Sequence, residues 1–413
     1  MQLGERPSWI WLGLGAAACA AGWIAGAGKA AVPPAPPAKQ VAIRVDCAAD
    51  ARACAIADSL ALDVWSEDRG PALPLDVVVD ARALAELAGL GVRYDVLVPD
   101  IDAQAAAEAG RLRAPHAADR GDWFAEYKDY GAITAHLEEL ARLAPDRAQV
   151  AAIGQSIDSR PIWALRIGGS GAPKTRMLID GTMHAREWIA AMVTTCVADR
   201  LVRDYDRDPA IRAFVDSTEL WVVPVVNPDG YQYTWTGKRF WRKNRRGDFG
   251  VDLNRNFGVG WGGDGSSTSK RSEVYRGERE FSEPESRAIR DFAKREQVAL
   301  HVDFHAYGQL VLYPWGYTAS PAKDRDRFAA VGDRVASALF APHGTRYSLM
   351  QSVQLYPASG TMTDWVYGEV GALSYTIELR PKGGSGFVLP PDQIRPTCDE
   401  GLAAVLALRG AQK

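Results

Sequence analysis

The sequence predicts an α/β protein in two unequal parts, a small α/β sandwich followed by a larger domain whose strands are mostly buried. Three observations carry this expectation. Between Gln40 and Arg113 short β-type runs alternate with Ala-rich helical runs at a spacing too tight for a large domain. From about Tyr127 onward, long apolar runs of strand character alternate with amphipathic stretches of helical period. Between them lies "GRLRAPHAADRGDW", polar and basic and without apolar periodicity. A chain of 413 residues, 47% of them hydrophobic, has ample material for a large core.

The elements follow in order. Ser8 to Ala27, "SWIWLGLGAAACAAGWIAGA", is apolar or small throughout behind a weakly basic start, so residues 1–31 read as a secretory signal with cleavage near Ala27 or Ala31. The protein is therefore expected to be secreted or periplasmic. The alternatives are a membrane anchor formed by this segment and lipid attachment at Cys19, the latter weakened by the lack of a bulky residue three positions earlier. Residues 32–39 form a Pro-rich, extended linker. Within 40–113, "VAIRVD", "LDVWS", "LPLDVVVD" and "VRYDVLVPD" read as strands, and "ADARACAIADSLA" and "ARALAELAGL" as helices. Residues 114–122 read as an exposed connector, with Arg111, Arg113 and Arg120 in or beside it as points of proteolytic entry. Within 123–413, "YGAITAHLEELARLAP" and "EWIAAMVTTCVADRLVRDY" have helical periodicity. "VAAIGQSIDSRPIWALRIGG" reads as two strands around a polar turn, and "RMLIDGTMH", "TELWVVPVVNPDGY", "ALHVDFHAYGQLVLYP" and "ALSYTIELR" supply buried strands.

The formal net charge of −3, from 48 basic and 51 acidic residues, lacks the basic footprint of a nucleic-acid binder, and no nucleic-acid partner is expected. Export would permit disulfides. Cys47 and Cys54 are close enough in sequence for a local bridge, whereas Cys196 and Cys398 read either as a pair or as two buried thiols.

Chemistry concentrates in a few stretches. In "MHAREWIAA", His184 and Glu187 stand three apart between a buried strand and a helix, so one turn aims both at a single point. Two His and one Glu commonly hold zinc, with the fourth position left to water. "HVDFHAY" offers His301 and His305 as the third ligand, and spacing alone leaves both open. The competing reading is a helix start in which Glu187 complements the dipole. "FWRKNRR" and "VDLNRNF" bring Arg242, Asn254 and Arg255 into a short interval suited to an anion. Glu378 lies inside the apolar strand "ALSYTIELR", where an unpaired carboxylate is costly, unless it is paired with Arg380.

"HAREW", "NPDGYQYTW", "RFWRKNRR", "DLNRNF", "HAYGQLVLYPWGY", "SGTMTDWVY", "TIELR" and "GFVLPPDQIRPT", in this order, cover most of the chain after Trp123. This segment resembles the zinc metallocarboxypeptidases of the carboxypeptidase A/B family. The resemblance implies a catalytic domain with a mixed, mostly buried central sheet flanked by helices, one Zn2+, and removal of single residues from peptide or protein C-termini. It implies His184, Glu187 and His305 as zinc ligands, and Asp252 as the carboxylate that orients the first His. Glu378 is implied as general base and Arg242 as stabiliser of the developing oxyanion. Asn254 and Arg255 are implied as the clamp for the terminal carboxylate, Tyr356 as the tyrosine that closes over substrate, and Arg186 as an outer substrate contact. Residues 40–113 then resemble an inhibitory pro-domain, and cleavage of the connector by an activating protease is expected. The protein is expected to be a monomer.

The sequence departs from the family in two places. The cysteines that commonly bracket "DLNRN" are absent, so packing and hydrogen bonds must hold that loop. At the position that, by the resemblance, selects the substrate's terminal side chain stands Thr363, neither acidic nor apolar, with Gly316 and Leu312 nearby, and none of the three is charged. A neutral, hydrophobic C-terminal residue is expected, with Gln351 as a polar side chain able to reach the same pocket. Other classes consistent with parts of the pattern are a related zinc amidohydrolase or cell-wall peptide hydrolase, and an inactive relative that only binds.

Overall fold

The computed structural model describes residues 39–66, 74–113, 121–169, 174–384 and 386–411. The signal segment with Cys19, the linker up to its last residue, and 114–120 of the connector with Arg120 lie outside the described residues.

The first part runs β1 (Gln40–Val45), α1 (Ala51–Leu60), β2 (Asp63–Val64), β3 (Leu75–Asp80), α2 (Ala81–Gly89), β4 (Asp95–Val98) and α3 (Ile101–Arg113). Its four strands form an antiparallel sheet in the order β2-β3-β1-β4. Asp50 and Asp80 cap the starts of α1 and α2 by accepting backbone N–H bonds, which is why each helix begins where it does. The sheet buries Ile43, Val77 and Val79 against Ala53, Ala57 and Leu87 of α1 and α2. A disulfide joins Cys47 to Cys54.

The larger part runs α4 (Tyr130–Leu143), β5 (Ala148–Gln155), β6 (Pro161–Ile167), β7 (Thr175–Gly181), α5 (Trp188–Arg203), α6 (Pro209–Ser217), β8 (Thr218–Val223), α7 (Pro228–Thr236), α8 (Pro284–Arg295), β9 (Leu300–Ala306), β10 (Leu310–Tyr313), α9 (Arg325–Phe340), β11 (Ser348–Gln351), α10 (Met362–Trp365), β12 (Leu373–Leu379) and α11 (Ile394–Ala407). Its eight strands take the order β11-β10-β12-β9-β7-β8-β6-β5. The neighbours from β12 to β8 are parallel, while β10/β12, β8/β6 and β6/β5 are antiparallel, so the sheet is mixed. β7, β9 and β12 are almost wholly buried, as strands in the middle of a sheet covered on both faces are.

Two runs divide where the backbone requires it. The strand in "TELWVVPVVNPDGY" stops at Val223, since Pro224 has no N–H to give the ladder. Asn227 then caps α7, with Pro228 in its first turn. "ALHVDFHAYGQLVLYP" supplies two strands, because the chain turns through Gly308 and the positive-φ Gln309, and β10 pairs with β12 rather than with β9. α5 is buried on nearly all sides and packs on α11, to which the Cys196–Cys398 disulfide ties it. The two cysteines that sequence leaves as thiols or a pair are thus bonded.

Candidate active site

The parallel strands set the site. In such sheets the loops beyond the carboxyl ends of the strands gather at one edge, and ligands bind there. His184 and Glu187 follow the end of β7, His305 is the penultimate residue of β9, and Glu378 is the penultimate residue of β12. The β9/β12 register pairs His305 with Glu378 directly. Asn227 braces the loop from below: its side-chain amide donates to the Met183 and Lys243 carbonyls, and the Ala185 N–H donates to the Arg242 carbonyl.

Three buried donor groups converge. His184 Nδ1 lies 2.8 Å from Glu187 Oε1, His305 Nδ1 lies 3.0 Å from Glu187 Oε2, and the two Nδ1 atoms are 3.1 Å apart. The outer ring nitrogens face carboxylates, His184 Nε2 at 3.2 Å from Asp252 Oδ1 and His305 Nε2 at 2.8 Å from Asp303 Oδ2. Those outer nitrogens therefore carry the hydrogens, which leaves both Nδ1 atoms as lone pairs. Two lone pairs and a carboxylate pointed at one another repel unless a cation lies among them, and N,N,O is a common zinc donor set. The residues fit one Zn2+. Glu187 stands at the N-cap of α5 yet makes no capping bond, and its Oε2 also accepts the Ala306 N–H at 3.1 Å.

His301, the rival for the third position, is elsewhere. Its Nε2 is 2.8 Å from Asp180 Oδ2 and its Nδ1 is 2.6 Å from Ser374 Oγ. Burial pushes it down to about 4, so it is neutral near pH 7.

Asp252 is the hub of the polar wall. Beside His184, it accepts from Arg242 Nη2 at 3.0 Å and from the Asn254 N–H at 2.9 Å. Its burial is outweighed by Arg242 and Arg255, which hold it well below the usual carboxylate range. Arg255 donates to the Gly265 and Asn254 carbonyls, each at 2.8 Å, and to the Tyr356 hydroxyl at 3.2 Å. Gly265 has a positive φ and a Cβ there would meet the Pro357 carbonyl, so only glycine lets this loop close beside Tyr356. The cysteine-free loop is held as expected by hydrogen bonds: Asp252 N–H to the Tyr275 carbonyl, and Asn256 Nδ2 to the Arg276 and Arg279 carbonyls and Ser282 Oγ.

Thr363 is buried, with Oγ1 2.6 Å from Thr376 Oγ1. Gln351 is buried, and its amide N–H groups go to the Trp315, Thr318 and Ser320 carbonyls and brace that loop. Asp364, unremarked in the sequence, is fully buried and accepts from the Gly316 and Tyr317 N–H groups. Burial pushes it up to about 7. Glu378 is buried, and Arg380, the alternative partner for it in the sequence, is paired with Glu400 and bonded to Gln393 and Thr345.

The small sandwich reaches this edge. Arg186 Nη1 donates to Asp63 Oδ2 at 2.8 Å and Nη2 to the Val64 carbonyl at 3.1 Å, so β2 covers it. Trp65 packs on Phe240 and Phe387, and the Tyr307 hydroxyl donates to Asp76 at 2.6 Å. Asp63 and Asp76 carry no sequence signal separating them from ordinary strand-edge acids.

A buried His-Glu-His donor set at the carboxyl edge of a mixed sheet defines a zinc-dependent hydrolase. Comparison narrows the class: the zinc carboxypeptidase family profile matches residues 133–404, and the chain belongs to that family. It is 34% identical over 367 residues to carboxypeptidase B of Bos taurus, covering 85% of this chain and 87% of that one. Among solved structures it is similar to carboxypeptidase A from Helicoverpa armigera, with a TM-score of 0.81 and 30% identity over 91% of this chain and 98% of that one. Thrombin activatable fibrinolysis inhibitor gives a TM-score of 0.83 at 28% identity, over 91% and 100%. The protein is thus an enzyme of the zinc carboxypeptidases, which use one Zn2+ and act on peptide C-termini.

Proposed function

We propose that the protein is the secreted or periplasmic zymogen of a monomeric zinc exopeptidase that removes neutral, hydrophobic C-terminal residues. The observation that carries the reading is the convergence of His184, Glu187 and His305 beside Glu378, with Asn254 and Arg255 on the same wall. Zinc, when bound by the three ligands, supplies Lewis acidity and lowers the pKa of a water. Asp252 holds the His184 ring in the tautomer that puts the lone pair on Nδ1, the ligating atom. Glu378 takes a proton from the attacking water and passes it to the leaving amine. Arg242 stabilises negative charge developing on the scissile carbonyl oxygen. The planar Arg255 guanidinium and Asn254 hold the substrate's terminal carboxylate, and Tyr356, already within reach of Arg255, closes over it.

Latency follows from Asp63. Its carboxylate and the Val64 carbonyl occupy the Arg186 guanidinium that would otherwise meet a peptide backbone or carboxylate. Cleavage by an activating protease in 114–122 would free that edge. Arg111 lies within α3 with Nε 3.0 Å from Glu126, a poor site for a protease that needs extended chain, which leaves residues after α3 as the entry point. The two disulfides and the apolar N-terminal segment support export, with anchoring through that segment or lipidation at Cys19 as the alternative routes. Among the described residues no helix is long and apolar enough to cross a membrane.

For specificity, Thr363 is neutral and bonded to Thr376, and the oxygens of Asp364 are committed to backbone N–H groups, so neither offers a substrate Lys or Arg an open counter-ion. The test assays the intact and the trypsin-cut protein on blocked dipeptides ending in Phe, Leu or Arg. The cut form should be the more active and should show kcat/KM for Phe or Leu above that for Arg. Full activity of the uncut chain, or a clear preference for Arg, would contradict the corresponding part of the proposal.

A further inference from the structure

Directly behind the metal site, the sheet carries a row of polar groups that the proposed mechanism does not use. The β7/β9 register sets Asp180 opposite Asp303, and the β9/β12 register sets Ser374 opposite His301. Their side chains join in a chain of contacts: Ser374 Oγ to His301 Nδ1 at 2.6 Å, His301 Nε2 to Asp180 Oδ2 at 2.8 Å, and Asp303 Oδ2 to His305 Nε2 at 2.8 Å. All five residues are buried to within 1% of complete. Among the described residues, no N–H and no Ser, Thr or Tyr O–H reaches the remaining oxygens, Asp180 Oδ1 and Asp303 Oδ1, and the two carboxyl groups are in contact with one another.

Two bare carboxylates cannot be left in contact in a dry core, so one of them holds a hydrogen and gives it to the other. Asp303 faces the Nε2 hydrogen of His305, so it is the acceptor from both sides and Asp180 is the donor. The contrast with His184 is informative. Asp252, behind that ring, shares its charge with Arg242 and the Asn254 N–H, whereas the hydrogen bonds of Asp303 go to His305 and Asp180. A carboxylate behind a ligating His fixes the ring and raises its basicity, and loss of such a partner typically costs 10–100-fold in metal affinity.

We propose that Asp303 is a positioning residue of the zinc site, which fixes the His305 ring with Nδ1 toward Glu187 and His184, and that Asp180 holds Asp303 in place by donating a hydrogen to it. The inference rests on the reading of His184, Glu187 and His305 as zinc ligands. It makes an asymmetric prediction about two acids on adjacent strands. An amide at position 180 does both jobs of a protonated Asp, giving N–H to Asp303 and accepting from His301. An amide at 303 removes the charge that His305 needs.

The experiment measures zinc affinity of the full chain by chelator competition for wild type, Asp180→Asn, Asp303→Asn and Asp303→Ser, together with the visible spectrum of each cobalt-loaded protein. Asp303→Asn and Asp303→Ser should weaken zinc by about 10–100-fold and shift the cobalt bands, while Asp180→Asn stays close to wild type in both. The inference is overturned if either foldable Asp303 variant binds zinc as tightly as wild type with an unchanged spectrum, or if Asp180→Asn is weakened as much as the Asp303 variants. A wild-type protein that fails to take up one zinc would instead overturn the reading of the site itself, so the two failures are distinct.

Discussion

Glu378 sits inside the apolar β12, where burying an acid is unfavourable, and its strand register puts it beside a histidine of the metal site. On the proposed mechanism, a carboxylate at such a position serves proton transfer. Glu378→Gln keeps the shape and removes the acceptor, so kcat should fall by about 10²–10⁴-fold while zinc content stays at one per chain. Turnover near wild type in a zinc-loaded variant would remove Glu378 from the mechanism. The signal that singles out Glu378 in the sequence, an acid in an apolar strand, is equally present at Asp180 in "RMLIDGTMH" and at Asp303 in "HVDFH". Neither is separable there from an exposed strand position, because which strand lies beside which is a property of the sheet and not of the segment. Gln351 marks the opposite limit: sequence places it within reach of the pocket, but the three carbonyls it serves belong to a loop whose path only the fold defines.

At the scale of elements, the apolar runs and caps are readable locally, whereas the pairing that makes the sheet mixed depends on contacts far apart in the chain. α8 illustrates an element whose behaviour follows from its setting. It begins "PESRAIRD", and Glu285 in its first turn would complement the helix dipole on any surface. Here it is buried, bonded to Asn244 and to the Ile157 N–H, and burial with the neighbouring Glu283 charge pushes it from its ordinary 4.5 up to about 7. The folded chain therefore holds this proton where the unfolded chain has released it. The stability it lends is full below about pH 4.5 and is lost as pH rises through about 7. Glu285→Gln, which cannot ionise, should gain stability relative to wild type by up to about 3 kcal/mol between pH 5 and 8. Urea unfolding at the two pH values checks this, and a wild-type-minus-variant difference independent of pH would show that the carboxyl titrates normally.

Across the whole molecule, the two sheets serve one edge: the larger positions the ligands and the polar wall, and the smaller lays Asp63 and Trp65 over it. The catalytic motifs are legible in sequence because each is a compact cluster of polar residues against an apolar background. The covering contacts are not, since Asp63 and Arg186 lie in segments 123 residues apart and neither announces its partner. On the proposed mechanism, zinc, Glu378 and the Asn254/Arg255 wall together remove one residue from a free C-terminus. The most direct test follows, by mass spectrometry, the products of the cut protein acting on one peptide with a free C-terminal carboxylate and on its C-terminal amide, each with and without a zinc chelator. A single C-terminal residue should be lost from the free acid only, with the loss abolished by the chelator and restored by added zinc. Equal hydrolysis of the amide, cleavage at internal bonds, or activity that survives complete removal of zinc would contradict it.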